Sequence, residues 1–238
     1  MSRSGRVVAL TGLVLLGVYL AGLLPQTPDP PHDIALAPVS SRTSGLRIVA
    51  FGTSLTARST WPQTVAAALS ACTGSSVSVV KLARPGAGSR WAKSQIGELL
   101  ALKPDLVVME FAINDADLHD GLSPGNSRQA TREIVQSLRG EMPNLPVLLL
   151  TTNPVAGLAK LQRPLLPLYY QSYAAVASDT NTGLVDGFAR WLRRADWQAA
   201  LPDGVHPFPE AEAELYAAPI AATIATAFGW SCSIGQLP

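Results

Sequence analysis

The chain has 238 residues, 47% of them hydrophobic and 15% charged, with a formal net charge of +1. That is enough apolar material for one α/β domain of ordinary size with a large core, and it excludes a disordered chain. A near-neutral balance without any Lys/Arg-rich block excludes a nucleic-acid partner held by charge.

Arg3 and Arg6 precede the uncharged apolar run VVALTGLVLLGVYLAGLL at 7–24. A basic flank before an apolar core is the pattern of an export signal, and the run is also near the length that spans a bilayer. The sequence therefore predicts a signal peptide or an uncleaved N-terminal membrane anchor over 1–24. The domain is then exported, periplasmic or extracellular. Residues 25–45 carry five prolines among Ser and Thr and read as an extended Pro-rich linker with a solvated His32. The folded domain is expected over 46–238.

Apolar runs rich in β-branched residues predict strands at 46–51, 76–83, 105–112, 146–152 and 183–186. They are continuous rather than alternating, as in strands covered on both faces. Helical patterns lie between them at 59–74, 89–102, 125–140, 165–180 and 209–228. The first has Thr60 as a cap candidate, Pro62 in its first turn and Gly74 as a stop. Pro219 is expected to kink the last. Strand–helix alternation implies a parallel sheet with helices on both faces and a ligand crevice beyond the carboxyl ends of the strands.

Those ends carry the chemistry. FGTSLT at 51–56 holds Ser54, RPGAGS at 84–89 is a glycine-rich turn, AINDAD at 112–117 holds Asn114, and DGVHP at 203–207 holds Asp203 and His206. A serine becomes a nucleophile when an imidazole within reach takes its proton. The imidazole needs an acceptor on its other nitrogen, and an Asp three residues earlier can supply it. The Ser54 N–H, a glycine N–H and the Asn114 amide are candidate donors for an oxyanion, often the largest catalytic contribution. Each residue also fits a plainer reading: Ser54 a turn cap, Asn114 an Asx turn, the glycines simple turn residues, His206 a structural loop histidine. The loop NDADLHDG at 114–121 departs from a calcium loop in its glycine and its twelfth position, and reads as solvated, with His119 exposed or lining the site. Asp203 and His206 lack the further His or Cys of a metal site. Trp61, Trp91 and Trp197 read as core or rim residues that could also stack on a sugar ring.

In order and spacing the four motifs resemble those of the SGNH/GDSL hydrolases, over residues 46–228. The resemblance implies a three-layer α/β/α sandwich around a flavodoxin-like parallel five-stranded sheet. It implies a serine esterase with Ser54 as nucleophile, His206 as base, Asp203 orienting it, and Ser54, Gly86 and Asn114 forming the oxyanion hole. Gly88 is the neighbouring alternative to Gly86. No cofactor or metal is implied. Three positions depart from the family pattern: Thr53 stands for its usual Asp, Ala112 for a Gly, and Lys81 for a frequent Asn. In the implied fold the first and last helices lie side by side, so Cys72 and Cys232 are expected to form a disulfide, the alternative being two unrelated thiols. The expected activity is hydrolysis of carboxylic esters, with short acyl or O-acetyl groups favoured by short loops that suggest an open site. An acylated polysaccharide or a lipid is the expected substrate. The alternatives are an O-acyltransferase acting on an envelope polysaccharide and a non-catalytic carbohydrate-binding module.

Overall fold

The computed structural model describes residues 29–39, 45–119 and 121–232, together with Leu16, Gly17 and Leu20. Apart from those three residues, the signal peptide or anchor expected over 1–24 lies outside the described residues. Among the described residues no helix is long and apolar enough to cross a membrane.

Strands β1 (Leu46–Gly52), β2 (Val77–Ala83), β3 (Leu106–Glu110), β4 (Val147–Thr151) and β5 (Gly183–Asp186) form one parallel sheet in the order β2-β1-β3-β4-β5. Alternate residues feed two cores. Val49, Phe51, Val107, Met109, Val147 and Leu149 face one, while Ile48, Ala50, Leu106, Val108, Leu148 and Leu150 face the other. Both sets are buried, which is why the strands read as unbroken apolar runs.

After β1 come α1 (Ser54–Ala57) and α2 (Trp61–Thr73), and after β2 come α3 (Ser89–Ser94) and α4 (Ile96–Ala101). After β3 come α5 (Ala112–Asp115) and α6 (Pro124–Glu141), and after β4 come α7 (Leu158–Gln162) and α8 (Leu166–Thr180). The chain then forms α9 (Gly187–Arg193), α10 (Pro209–Glu212), a π-helical turn (Ala213–Ala217) and α11 (Ala218–Ala227). Leu99, Ile134 and Tyr173 bring α4, α6 and α8 onto one face, and Val65, Trp191 and Ile220 bring α2, α9 and α11 onto the other. The result is the expected three-layer, flavodoxin-like sandwich.

Several local expectations shift. The helix expected over 89–102 breaks at Gln95 into α3 and α4, and the third strand stops at Glu110, where Ala112 opens a helical turn. Gly74 ends α2 with φ 64°, but Thr60 does not cap it through its side chain. Glu212 of α10 does so instead, accepting from the Ser59 hydroxyl at 2.6 Å and the Thr60 N–H at 2.9 Å. A carboxylate at a helix N-terminus satisfies orphan donors and complements the dipole. The break at Pro219 takes the form of the π-helical turn just before it, which accommodates the missing N–H and the ring.

The expected linker is packed along its middle. Ile34 pairs antiparallel with Leu184, Leu36 is buried against Gly183, and the Val39 N–H donates to the Ala227 carbonyl. Both Arg190 guanidinium NH₂ groups reach the Asp33 carboxylate, at 2.8 and 2.6 Å, and the His32 N–H donates to Asp186. The strap covers the outer edge of β5, a row of backbone groups otherwise left unpaired. Its apolar side chains, Ile34 and Leu36, are sparse enough among prolines to escape notice in the sequence. Cys72 and Cys232 form the expected disulfide, with their Cα atoms 5.5 Å apart.

Candidate active site

Ser54 begins α1 immediately beyond β1 and is buried. Thr53 caps the turn, its hydroxyl accepting the Leu55 N–H at 3.1 Å. As the first helical residue, Ser54 has an N–H without an intrahelical acceptor. The far end of α1 is also held: the buried Trp61 indole donates to the Leu55 carbonyl at 2.9 Å, and Lys81 Nζ donates to the Ala57 and Ser59 carbonyls. Lys81, a departure from the family pattern, thus ties β2 to the turn that carries Ser54. Burial holds its pKa below the usual lysine range.

His206 approaches from the loop before α10. Its Nε2 lies 2.8 Å from Ser54 Oγ and its Nδ1 lies 2.6 Å from Asp203 Oδ2. A carboxylate can only accept, so Nδ1 carries the proton and Nε2 is free to accept from Ser54. Asp203 Oδ1 accepts the Val205 and His206 N–H groups at 2.9 and 2.7 Å, which folds the loop back on itself. Burial pushes the Asp203 carboxyl up, but hydrogen bonds from the His206 N–H, the His206 ring and the Val205 N–H outweigh it and hold the group at about 2. Gly204 makes the loop possible, with φ 81° and the Ala156 carbonyl oxygen 2.6 Å from where a Cβ would stand.

The sheet brings the other motifs to the same end. Asn114 and Asp115 are buried in α5, so the expected solvated loop is exposed only further on, at Leu118, His119 and Gly121 among the described residues. Asn114 Nδ2 donates one hydrogen to the Ala87 carbonyl at 2.9 Å, and Asp115 accepts the Ser89 N–H and the Ser127 hydroxyl. The two glycine candidates therefore flank a carbonyl pinned by Asn114. Gly86 holds the positive φ of the turn, 75°, whereas Gly88 is extended and precedes α3. Ala112 is simply the first residue of α5 and needs no glycine conformation.

Two residues of this region were not among the sequence candidates. Glu110 ends β3 fully buried, its carboxylate accepting from the Thr53 N–H at 2.6 Å, from the Thr53 hydroxyl at 3.0 Å and from Thr56 Oγ1 at 2.8 Å. Burial raises its pKa to about 7, against these donors. A lone carboxylate in the run LVVMEF was the available signal. Asn153, after β4, donates to the Val205 carbonyl at 2.7 Å and is itself fixed by the Tyr216 and Tyr170 hydroxyls. It braces the His206 loop, a role with no mark in the sequence.

The tryptophans divide. Trp61 is core, Trp91 packs beside Phe51 and Phe111, and Trp197 lines a cavity of about 180 Å³ with Phe188, Leu192 and Val155. His119 is exposed and bonds Asp117, which also pairs with Arg163. Among the described residues no three His, Cys, Asp or Glu side chains stand together as a metal site.

A family model described as GDSL-like lipase/acylhydrolase matches residues 48–213. No curated protein sequence matches the chain. Among solved structures, the lipase/acylhydrolase from Enterococcus faecalis superposes with a TM-score of 0.68 at 24% identity, covering 76% of this chain and 96% of its own. TesA superposes at 0.59 with 26% identity, over 76% of this chain and 99% of its own. Axe2, an acetylxylan esterase from Geobacillus stearothermophilus, superposes at 0.63 with 21% identity, over 79% of this chain and 96% of its own.

Proposed function

Because the chain belongs to the GDSL-like lipase/acylhydrolase family and is a carboxylic ester hydrolase, we propose that Ser54 is its nucleophile. The observation that carries this reading is the hydrogen-bond chain from Ser54 Oγ through His206 to Asp203, at 2.8 and 2.6 Å. Ser54 Oγ attacks the ester carbonyl while His206 Nε2 takes its proton. His206 then returns that proton to the departing alkoxide, leaving an acyl-Ser54. Water, deprotonated by His206, attacks the acyl carbon and releases the acid and Ser54. Asp203 keeps the imidazole in the required tautomer and balances its charge. The Ser54 N–H, the Gly86 N–H and the second Asn114 amide hydrogen take the oxyanion, each fixed donor contributing about 3 kcal/mol.

The substrate we infer is an ester of a short acyl group, such as an O-acetyl group on a polysaccharide. Two features support it: the fold shared with an acetylxylan esterase, and a site near the surface, with 56% of the Asp203 side chain exposed. Ready access of water favours hydrolysis over transfer to a second sugar. We infer an oxidising compartment outside the cytoplasm, a reading supported by the export segment expected at 1–24 and by the Cys72–Cys232 disulfide.

The test is cleavage of p-nitrophenyl acetate, butyrate and octanoate by the full chain beside Ser54→Ala. Turnover is expected to rank acetate first and to fall about a thousandfold or more in the variant. An active Ser54→Ala protein would remove the nucleophile from this scheme, and a preference for octanoate would shift the substrate to a lipid ester.

A further inference from the structure

Glu110 lies directly beneath the turn that carries Ser54, and no step of the hydrolysis uses it. Its three hydrogen-bond partners are all donors toward it: the Thr53 N–H, the Thr53 hydroxyl and the Thr56 hydroxyl. Thr53 links it onward, because the same hydroxyl accepts the Leu55 N–H that starts α1. One carboxylate thus grips the backbone N–H of Thr53, one residue before Ser54, the side chain of Thr53 and the next turn of helix. Room for it is kept by Gly52, where any Cβ would overlap Glu110 Oε1 and Thr56 Oγ1.

We propose that Glu110 is a positioning residue for Ser54, active as the carboxylate, which holds the Thr53 peptide so that the Ser54 N–H and Oγ stay aimed at the substrate carbonyl and at His206. This rests on the reading of Ser54 as nucleophile. An acceptor-only group matches an all-donor environment, whereas a protonated carboxyl brings one hydrogen too many. Its O–H must then be accepted by the Thr53 or Thr56 hydroxyl, which turns its own hydrogen away and gives up its bond to the carboxyl. Protonation therefore loosens the grip on the Ser54 turn. The ionisable groups that feel its charge are Tyr170 and Tyr173 on α8 and Tyr216 in the π-helical turn. Burial keeps all three phenols neutral, and among the described residues no cation contributes to the titration of the carboxylate. With its pKa lifted to about 7, the grip on the nucleophile turn switches near neutral pH.

The experiment compares the pH dependence of kcat and KM on p-nitrophenyl acetate for the wild type, Glu110→Gln, Thr56→Val and Ser54→Ala. Glu110→Gln is expected to lower kcat about tenfold with KM within about twofold, and to remove one ionisation from the acid limb of kcat. Thr56→Val deletes a single donor to the carboxylate, so it is expected to move that ionisation to higher pH. It also keeps the test alive if Glu110→Gln fails to fold. A purely structural role would lower activity equally at every pH, and an unchanged acid limb in both variants would overturn the proposal. If Ser54→Ala keeps wild-type turnover, the nucleophile reading falls and takes this one with it. Loss of turnover in Ser54→Ala with unaltered profiles in the other two overturns the positioning role alone.

Discussion

Asp203 leaves more than half of its side chain in solvent, yet it remains an acid of about 2 because the loop it organises donates hydrogen bonds to it. A depressed carboxylate contributes stability that is present above the ordinary value of 3.8 and lost as pH falls through about 2. Replacing it with Asn keeps an oxygen to accept the Val205 and His206 N–H groups but turns an NH₂ donor toward Nδ1 and removes the tautomer lock, so Asp203→Asn is expected to lower kcat by about 10²–10⁴, uniformly above pH 4. Ester turnover from pH 5 to 9 checks this. Glu110 obeys the opposite sign. Its carboxyl is raised from 4.5 to about 7, so its stabilising contribution is whole below pH 4.5 and is lost as pH rises through about 7. That is a swing of about 3 kcal/mol against the ionised form. Thermal melts of Glu110→Gln beside the wild type are expected to favour the variant increasingly between pH 5 and 8. A constant difference across that range would contradict the shift. At this scale the sequence showed Ser54, Asp203 and His206 because each sits in a short motif whose residues serve one another locally. It did not show Glu110, whose partners lie more than fifty residues away and meet it only when β1 and β3 pair.

Elements place these residues through their ends. Gly204 turns the loop before α10 at φ 81° against the Ala156 carbonyl, so Gly204→Ala meets both backbone strain and a contact with no room to give. The variant is expected to lose about 1–3 kcal/mol of stability and to displace His206, with a fall in kcat larger than the fall in folded fraction. Circular dichroism melts and turnover on the same sample separate the two. Strand positions were legible because burial on both faces leaves an uninterrupted apolar signature. Helix boundaries were less so. Thr60 occupies the cap position of α2, but the cap is Glu212, supplied from 152 residues away by α10. Gln95 breaks one predicted helix into two with nothing in its own chemistry to announce it. The short turns α1 and α5 escaped altogether, since four residues carry no periodicity.

The molecule as a whole is closed by two long-range ties, the disulfide and the strap. The disulfide spans 160 residues, and a loop of that length implies about 5 kcal/mol of chain-entropy stabilisation. Reduction is therefore expected to lower Tm by roughly 10 °C or more while leaving turnover at 25 °C unchanged, because the bond lies at the end remote from Ser54. The strap is the other tie. A chain starting at residue 43 lacks Ile34, Leu36 and the Asp33–Arg190 pair and bares the edge of β5, so it is expected to melt lower and to aggregate more readily than one starting at residue 29. Light scattering during paired melts measures both. The direction of the strap has a practical corollary. It enters beside Asp186, at the carboxyl end of β5, the same pole of the parallel sheet at which Ser54 follows β1. A bead, surface or fusion partner attached ahead of residue 29 is thus brought to the pole that holds the site and hinders the approach of bulky polymers there. The same attachment made after residue 232 leaves that pole facing outward.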